Sequence, residues 1–390
     1  MHLYPLTSIR FLFALLVVLF HGLTAAPGRM DGWPKLLVAI VEHGSIGVSF
    51  FFVLSGFILT YSYQGRLTGS DTRHKFWWAR AARILPAYYL AFLIYLPLAL
   101  YEIVMSDAPA QGAERGLLVS VLQLSLTQAW VPEAAVAWNG PSWSLSVEAF
   151  FYLLFPFLMP KIENRSLRFA MLAAAMAFVL SQILALIVWK LGPETLANSL
   201  THLSGLTTKD VVASALFFTY LPILRVPEFV FGMAIGIIFL KAQPLALQVQ
   251  KRFVIIGIVG IFAALGWLDG IVPWPAMSNG FLAPFLGLIL FGLARSTSII
   301  WTHKFCVLLG EASYSLYLIH IPVLLWCQAI DKKWLHLMDH HFLVFFSAYL
   351  VIVIGSSILS YLYLEVPCRR AIMARFALKP KLEAQATAQV

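Results

Sequence analysis

Charge is what this chain has least of. Asp, Glu, Lys and Arg make up 12% of its 390 residues, about half the share of a soluble domain. Hydrophobic residues make up 61%, and the mean hydropathy is +0.84. That balance excludes a soluble globular fold and predicts a polytopic membrane protein. Cysteine is also scarce. Cys306 and Cys368 are expected near the cytoplasmic face and Cys327 near the other, so no disulfide is expected. The chain has no zinc-ligand spacing, no glycine-rich phosphate loop and no internal repeat. No metal is therefore expected, and the missing repeat argues against carriers built from two related halves.

Apolar runs long enough to cross a bilayer, about 17–25 residues, recur near 9–26, 46–63, 84–105, 143–160, 168–190, 225–241, 253–268, 279–295, 305–328 and 342–364. The run "LLVSVLQLSLTQAWV" (117–131) is ambiguous, because if it spans, everything after it flips. Basic residues decide the matter. With 117–131 on the outer side without spanning, whether interfacial or re-entrant, eighteen of the 27 Lys and Arg fall on inner segments and eight on outer ones, Arg10 aside. The expectation is an all-α integral membrane protein, a bundle of about ten transmembrane helices with both termini cytoplasmic. The net charge of +9 is then an orientation signal spread over inner loops, and no nucleic-acid partner is expected. Residues 1–368 read as the transmembrane domain, and 369–390 as a basic, partly disordered cytoplasmic tail beside anionic lipid. The largest external segment, about 191–224, reads as a loop or small cap. "LTAAPG" after the first span imitates a signal-peptide cleavage site, but retention is expected if Arg10 and His21 have a function.

Polar residues inside such spans are costly, and each asks for a reason. Arg10 and His21 lie eleven residues apart, which on a helix is three turns plus about 20° and a rise of about 16 Å. They share one face. Arg10 alone could be an orientation-setting charge, and His21 alone could be bonded to a backbone carbonyl; together they favour function. Ser144, Glu148 and Tyr152 recur at i, i+4, i+8 in "GPSWSLSVEAFFYLLFP". Glu148 and His21 each fall about five residues below the outer end of their spans. Matching depth makes them either a proton-transfer pair or a structural bridge. Arg80 and Arg83 in "WWARAARILPAYYL" fall at the inner mouth near Arg10. They are either inner-flank charges or, with Arg10, a bidentate phosphate grip. A ligand with a phosphorylated head and a long thin arm, such as acyl-coenzyme A, would fit that arrangement. His320 shares a face with Tyr314 and Tyr317 and reads as an acceptor-side or structural residue. Glu228 in "RVPEF" lies near the outer mouth, where it could bind a sugar hydroxyl, cap a helix or pair with Arg225. Nine of the twelve tryptophans (Trp33, Trp130, Trp138, Trp143, Trp189, Trp267, Trp274, Trp326 and Trp334) fall on the outer side, consistent with stacking on a carbohydrate.

Six stretches occur in a telling order: "LTSIRFLFALLVVLFH", "GSIGVSFFFVLSGFILT", "FWWARAARILPAYYL", "PSWSLSVEAFFYLLFP", "RVPEFVFGMAIG" and "LLGEASYSLYLIHIPV". Together they resemble the successive signatures of the acyltransferase-3 family, integral-membrane enzymes that acylate bacterial surface carbohydrates and some secreted small molecules. The resemblance implies a ten-helix enzyme of the bacterial inner membrane. It would take an acyl group, acetyl by default, from cytoplasmic acyl-CoA to an acceptor hydroxyl across the membrane. It implies roles for His21 and Glu148 in catalysis and for Arg10, Arg80 and Arg83 in holding the coenzyme. Ser144, Tyr152, Glu228 and His320 are the expected substrate-side residues. Direct transfer and a His21-acyl intermediate both remain open, as does a transporter using the same buried charges. The chain departs from the family where a second acidic residue often follows the glutamate (Ala149 here). It departs again where Asp-Gly often precedes the first arginine (Thr7-Ser8-Ile9 here).

Overall fold

The computed structural model describes residues 3–24, 29–67, 69–106, 109–192, 218–268 and 271–375. The expected cap therefore lies largely outside the described residues, as do positions 376–390 of the expected tail. Ten helices among the described residues are long and apolar enough to cross a bilayer: Tyr4–Thr24, Ile46–Tyr63, Ser70–Val104, Gly140–Ile162, Leu167–Leu191, Phe218–Lys241, Leu247–Trp267, Trp274–Leu293, Lys304–Leu335 and Phe342–Arg375. They coincide with the ten expected spans, and the protein is a multi-pass, all-α membrane protein. The largest differences are at two ends. The third span begins at Ser70 instead of 84, and the last continues through Arg375, so 369–375 extend a helix.

The elements that position the site are α1 (Tyr4–Thr24), α2 (Lys35–Glu42), α3 (Ile46–Tyr63), α4 (Ser70–Val104), α5 (Pro109–Leu124), α6 (Trp143–Ile162), α7 (Leu167–Leu191), α8 (Pro222–Lys241), α9 (Leu247–Trp267), α10 (Ala283–Leu293), α11 (Lys304–Ile330) and α12 (Phe342–Ser360). Bilayer lipid is as apolar as leucine, so helices here gain from close backbone approach rather than from expelling water. Small residues supply it. Gly56 of α3 faces the Phe229 carbonyl and Gly232 of α8 faces the Val53 carbonyl, so these two helices meet backbone to backbone. Gly310 of α11 sits against the Thr7 carbonyl of α1, which draws together two parallel helices that each carry a histidine higher up.

The ambiguous run neither spans nor lies on the surface. α5 doubles back along α4: Gly112 and Gly116 face Ile103, while the Tyr88 hydroxyl donates to the Gln123 carbonyl at 2.8 Å. That retraces about fifteen residues of α4, or about 23 Å. The chain then turns at Gln128–Trp130 and climbs back to α6, with the Ala129 amide 3.4 Å from Ser146 Oγ and Trp130 edge-on to Phe150. Leu117, Leu118 and Val121 are exposed on its outer side. It is a re-entrant hairpin, one of the two non-spanning placements open to this run. The buried amides explain this placement. Gln123 donates to the Ala137 carbonyl at 3.0 Å and Gln128 to the Ser142 carbonyl at 3.0 Å, so polar backbone enters the bundle where protein can satisfy it. The hairpin returns to the face it left, and the parity of the ten spans is unchanged.

A side chain at Gly232 would overlap the Val53 carbonyl, which belongs to a helix backbone and cannot step aside. Gly232→Val should therefore destabilise the protein by about 2–3 kcal/mol or more, read as a lowered unfolding midpoint in detergent. An unchanged midpoint would mean that α3 and α8 are not in backbone contact.

Candidate active site

The polar residues of the bundle core lie in three layers stacked along its axis. The lowest, nearest the face where α1 begins, lines a cavity of about 330 Å³. That cavity runs from Leu3 and Ser62 near the face up to Val48, Ser144 and Tyr317. Arg10 enters from α1, Arg80 and Arg83 from α4, Glu148 and Tyr152 from α6, and Glu311 and Tyr314 from α11. Tyr152 donates to Glu148 Oε1 at 2.5 Å, and Ser55 of α3 lies 3.5 Å from the same oxygen. Arg80 is set among the Tyr63, Phe76 and Tyr152 rings at 5.7–5.9 Å, with Nη2 3.5 Å from the Tyr63 hydroxyl. Among the described residues, Arg10 and Arg83 make neither a hydrogen bond nor an ion pair within 4.0 Å. Glu148, Glu311 and Glu365 act on them only at longer electrostatic range. Two half-buried guanidiniums thus face the cavity with unused donors.

The middle layer is a hydroxyl pair. Ser144 Oγ and Tyr317 Oη share a hydrogen bond of 2.8 Å, and each lies 3.0 Å from the Pro141 carbonyl. The third layer is a histidine pair above the cavity. His21 Nδ1 lies 3.2 Å from His320 Nε2 and 3.0 Å from the Val17 carbonyl, while His320 Nδ1 lies 2.6 Å from the Tyr317 carbonyl.

This stacking corrects one expectation about depth. Ser144 is level with Tyr317, Glu148 lies four residues to one side and His320 three to the other, so the carboxylate and the histidines are about 10 Å apart along the axis. His21 is therefore paired with His320 and not with Glu148. Arg80 and Arg83 enter low in the bundle near Arg10, from a helix that begins fourteen residues before the expected span. The three arginines share one cavity with Glu148.

The family model described as an acyltransferase domain matches residues 4–364. The chain belongs to the acyltransferase-3 family. It is similar to acyltransferase MdmB of Streptomyces mycarofaciens, at 30% identity over 74% of this chain and 70% of that protein. It is also similar to O-acetyltransferase OatA of Staphylococcus aureus, at 25% identity over 88% of this chain. The match spans only 56% of OatA's length. Exopolysaccharide production protein ExoZ of Rhizobium meliloti is 28% identical over 71% of this chain and 75% of its own length. No solved structure matches. The protein is a membrane-embedded acyltransferase.

Within that family frame, Glu228 does not reach the cavity. Its carboxylate is an ion-pair partner of Arg225, Oε2 to Nε at 2.9 Å, with both side chains about 1–2% exposed. Arg225 also donates to the Ser278 carbonyl, to Asn279 Oδ1 at 2.6 Å and to Ser49 Oγ at 3.2 Å. Gly280, at φ +87°, lets the chain turn directly over the Glu228 carboxylate. Of the alternatives for Glu228, the pairing with Arg225 is the one observed, and the expected place at an open acceptor site is not.

Sequence reasoning missed Glu311 and Glu365. Glu311 continues the Tyr314, Tyr317, His320 series one step back at the same i+3 spacing, so the face was readable. Glu365 sits in a π turn (Tyr361–Glu365) that breaks the helical period, and accepts from Ser315 Oγ at 2.6 Å. These two residues supply carboxylates near the arginines of a chain that has Ala149 and Thr7-Ser8-Ile9 where acidic residues were looked for.

Removing one partner from a buried ion pair costs about 3–5 kcal/mol, whereas replacing both with apolar groups can be neutral. Glu228→Ala should therefore lower the unfolding midpoint strongly, and Arg225→Met with Glu228→Leu should recover much of it. A Glu228→Ala protein of normal stability with a raised KM for acceptor would place Glu228 in the substrate site instead.

Proposed function

We propose that the protein is an O-acyltransferase of the bacterial inner membrane, working from a cytoplasmic acyl-CoA. It delivers the acyl group, acetyl by default, to a hydroxyl of an extracytoplasmic carbohydrate such as a surface polysaccharide or lipopolysaccharide. The observation that carries this reading is the open arginine cavity. Arg10 and Arg83 expose donors without an ionic partner in contact, and guanidinium forks suit phosphate oxygens. The relatives named as an O-acetyltransferase and as an exopolysaccharide production protein support the acetyl group and the carbohydrate.

Arg10, Arg80 and Arg83 would hold the coenzyme's phosphates, with the arm rising along the cavity past Ile84 and Leu145. Glu148, tied to Tyr152, lines the same cavity as the arginines and offsets their mutual repulsion. The thioester would come to rest near the Ser144 and Tyr317 hydroxyls, which would turn from the Pro141 carbonyl to donate to the oxyanion as it forms. The acceptor oxygen bonds to the thioester carbonyl carbon as His21 takes its proton, and the carbon–sulfur bond breaks. The thiolate then leaves as free coenzyme A with that proton.

The test uses membranes containing the protein, radiolabelled acetyl-CoA and a surface-glycan extract. Label should enter glycan with stoichiometric release of coenzyme A, and His21→Ala should abolish transfer while leaving a folded, inserted protein. Arg10→Ala should raise the donor KM about 10- to 100-fold, the worth of one charge-assisted hydrogen bond. Movement of substrate across the membrane without consumption of any acyl-CoA would identify a transporter and overturn the reading.

A further inference from the structure

The tautomers of the histidine pair follow from its neighbours. His320 Nδ1 is 2.6 Å from the Tyr317 carbonyl, which can only accept, so this nitrogen carries a proton. In a neutral ring that leaves His320 Nε2 with a bare lone pair. His21 Nδ1 faces that lone pair at 3.2 Å and the Val17 carbonyl at 3.0 Å, so it too must be the protonated nitrogen. The opposite assignment would set lone pairs against two carbonyl oxygens. His21 Nε2 is therefore the unprotonated nitrogen, which is the state a general base requires.

No carboxylate hydrogen-bonds either ring among the described residues. The place that a carboxylate takes behind a catalytic histidine is here occupied by a second imidazole. His320 is fully buried. Tyr349 of α12 donates to its carbonyl at 3.1 Å, and Phe20 packs edge-on against His21.

We propose that His320 is the positioning residue of the acyl-transfer base: its Nε2 accepts from His21 Nδ1–H, orients the ring and shares the proton that His21 gains. This rests on the transferase reading above. As the acceptor oxygen attacks the thioester carbon, its proton passes to His21 Nε2. The Nδ1 proton of the resulting imidazolium shifts toward His320 Nε2, spreading one positive charge over two rings. When the carbon–sulfur bond breaks, the Nδ1 proton returns and Nε2 gives its proton to the thiolate. Both rings end as they began.

Two measurements test this. In the intact protein, reconstituted in lipid nanodiscs with ¹⁵N-labelled histidine and assigned by comparison with His21→Ala, His21 should be protonated at Nδ1 and bare at Nε2. A cross-peak should connect His21 Nδ1 with His320 Nε2. An Nε2–H tautomer at His21, or no coupling between the rings, overturns the proposal. In turnover, His320→Leu should lower kcat about 100-fold, within the range of a general-base contribution, with the donor KM unchanged within about twofold. His320→Gln, whose amide oxygen can accept from His21, should recover about tenfold of that loss. A normal kcat in His320→Leu, or a loss spread over kcat and KM without rescue by His320→Gln, overturns it. If the unaltered protein transfers no acyl group from any donor, the transferase reading falls, and the ring-nitrogen measurement still decides whether His320 holds His21.

Discussion

A charge inside an apolar bundle must be paired, hydrogen-bonded or left facing a cavity, and this protein does all of these in separate places. Arg225 and Glu228 form the paired node: the guanidinium has an ion-pair partner, three further acceptors and the Phe52 and Trp143 rings against its faces. That node joins α3, α8 and the turn at 277–281, and does not line the arginine cavity. Arg10, Arg80 and Arg83 form the open one. Carboxylates stand nearby but not in contact, so the guanidiniums are held in place without being used up. The first node fixes the frame, and the second leaves chemistry for a ligand to complete.

The frame matters because the three layers are contributed by different helices. α1 and α11 run parallel, with Gly310 against the Thr7 carbonyl near one end and His21 against His320 toward the other. A Cβ at position 310 would wedge the helices apart where they start and widen the gap where the rings meet. An N–H···N contact weakens steeply with distance, so close packing of small residues below serves hydrogen bonding above.

The ten spans were legible because an apolar run of bilayer length has few other uses. The identity of most site residues was legible as well, since a polar residue at i+3 or i+4 spacing on an apolar helix is conspicuous. Relative depth was not. Counting from helix ends set Glu148 level with His21 and away from the arginines, but the ends share no common level. α4 starts fourteen residues early, and α6 begins only after a hairpin that has already entered the bundle. Glu365 was invisible because a π turn shifts its side chain off the expected face; the Arg225–Glu228 pairing was among the open readings, but its further partners lie far along the chain in α3 and the 277–281 turn. Local periodicity can assign a face, but which faces meet depends on contacts that no single helix encodes.

The re-entrant hairpin shows what such contacts accomplish. A short amphipathic helix at a membrane surface would bury its apolar side in lipid, whereas α5 and its return strand carry Gln123, Gln128, Asn139 and Ser142 into the bundle. Asn139 donates to the Leu318 carbonyl at 2.9 Å, and Ser142 Oγ donates to Gln123 at 3.0 Å. Trp138 is held at φ +59° with its indole stacked on Tyr95, a backbone state that a bulky residue keeps only when its surroundings enforce it. These contacts fix the height of residues 139–142 against α11, and Pro141 offers its carbonyl to both Ser144 and Tyr317. The hydroxyl pair between the arginine cavity and the histidines is thus set by a segment that never crosses the membrane. The hairpin determines the level at which two spanning helices present their hydroxyls, and so the distance from those hydroxyls to the histidine pair.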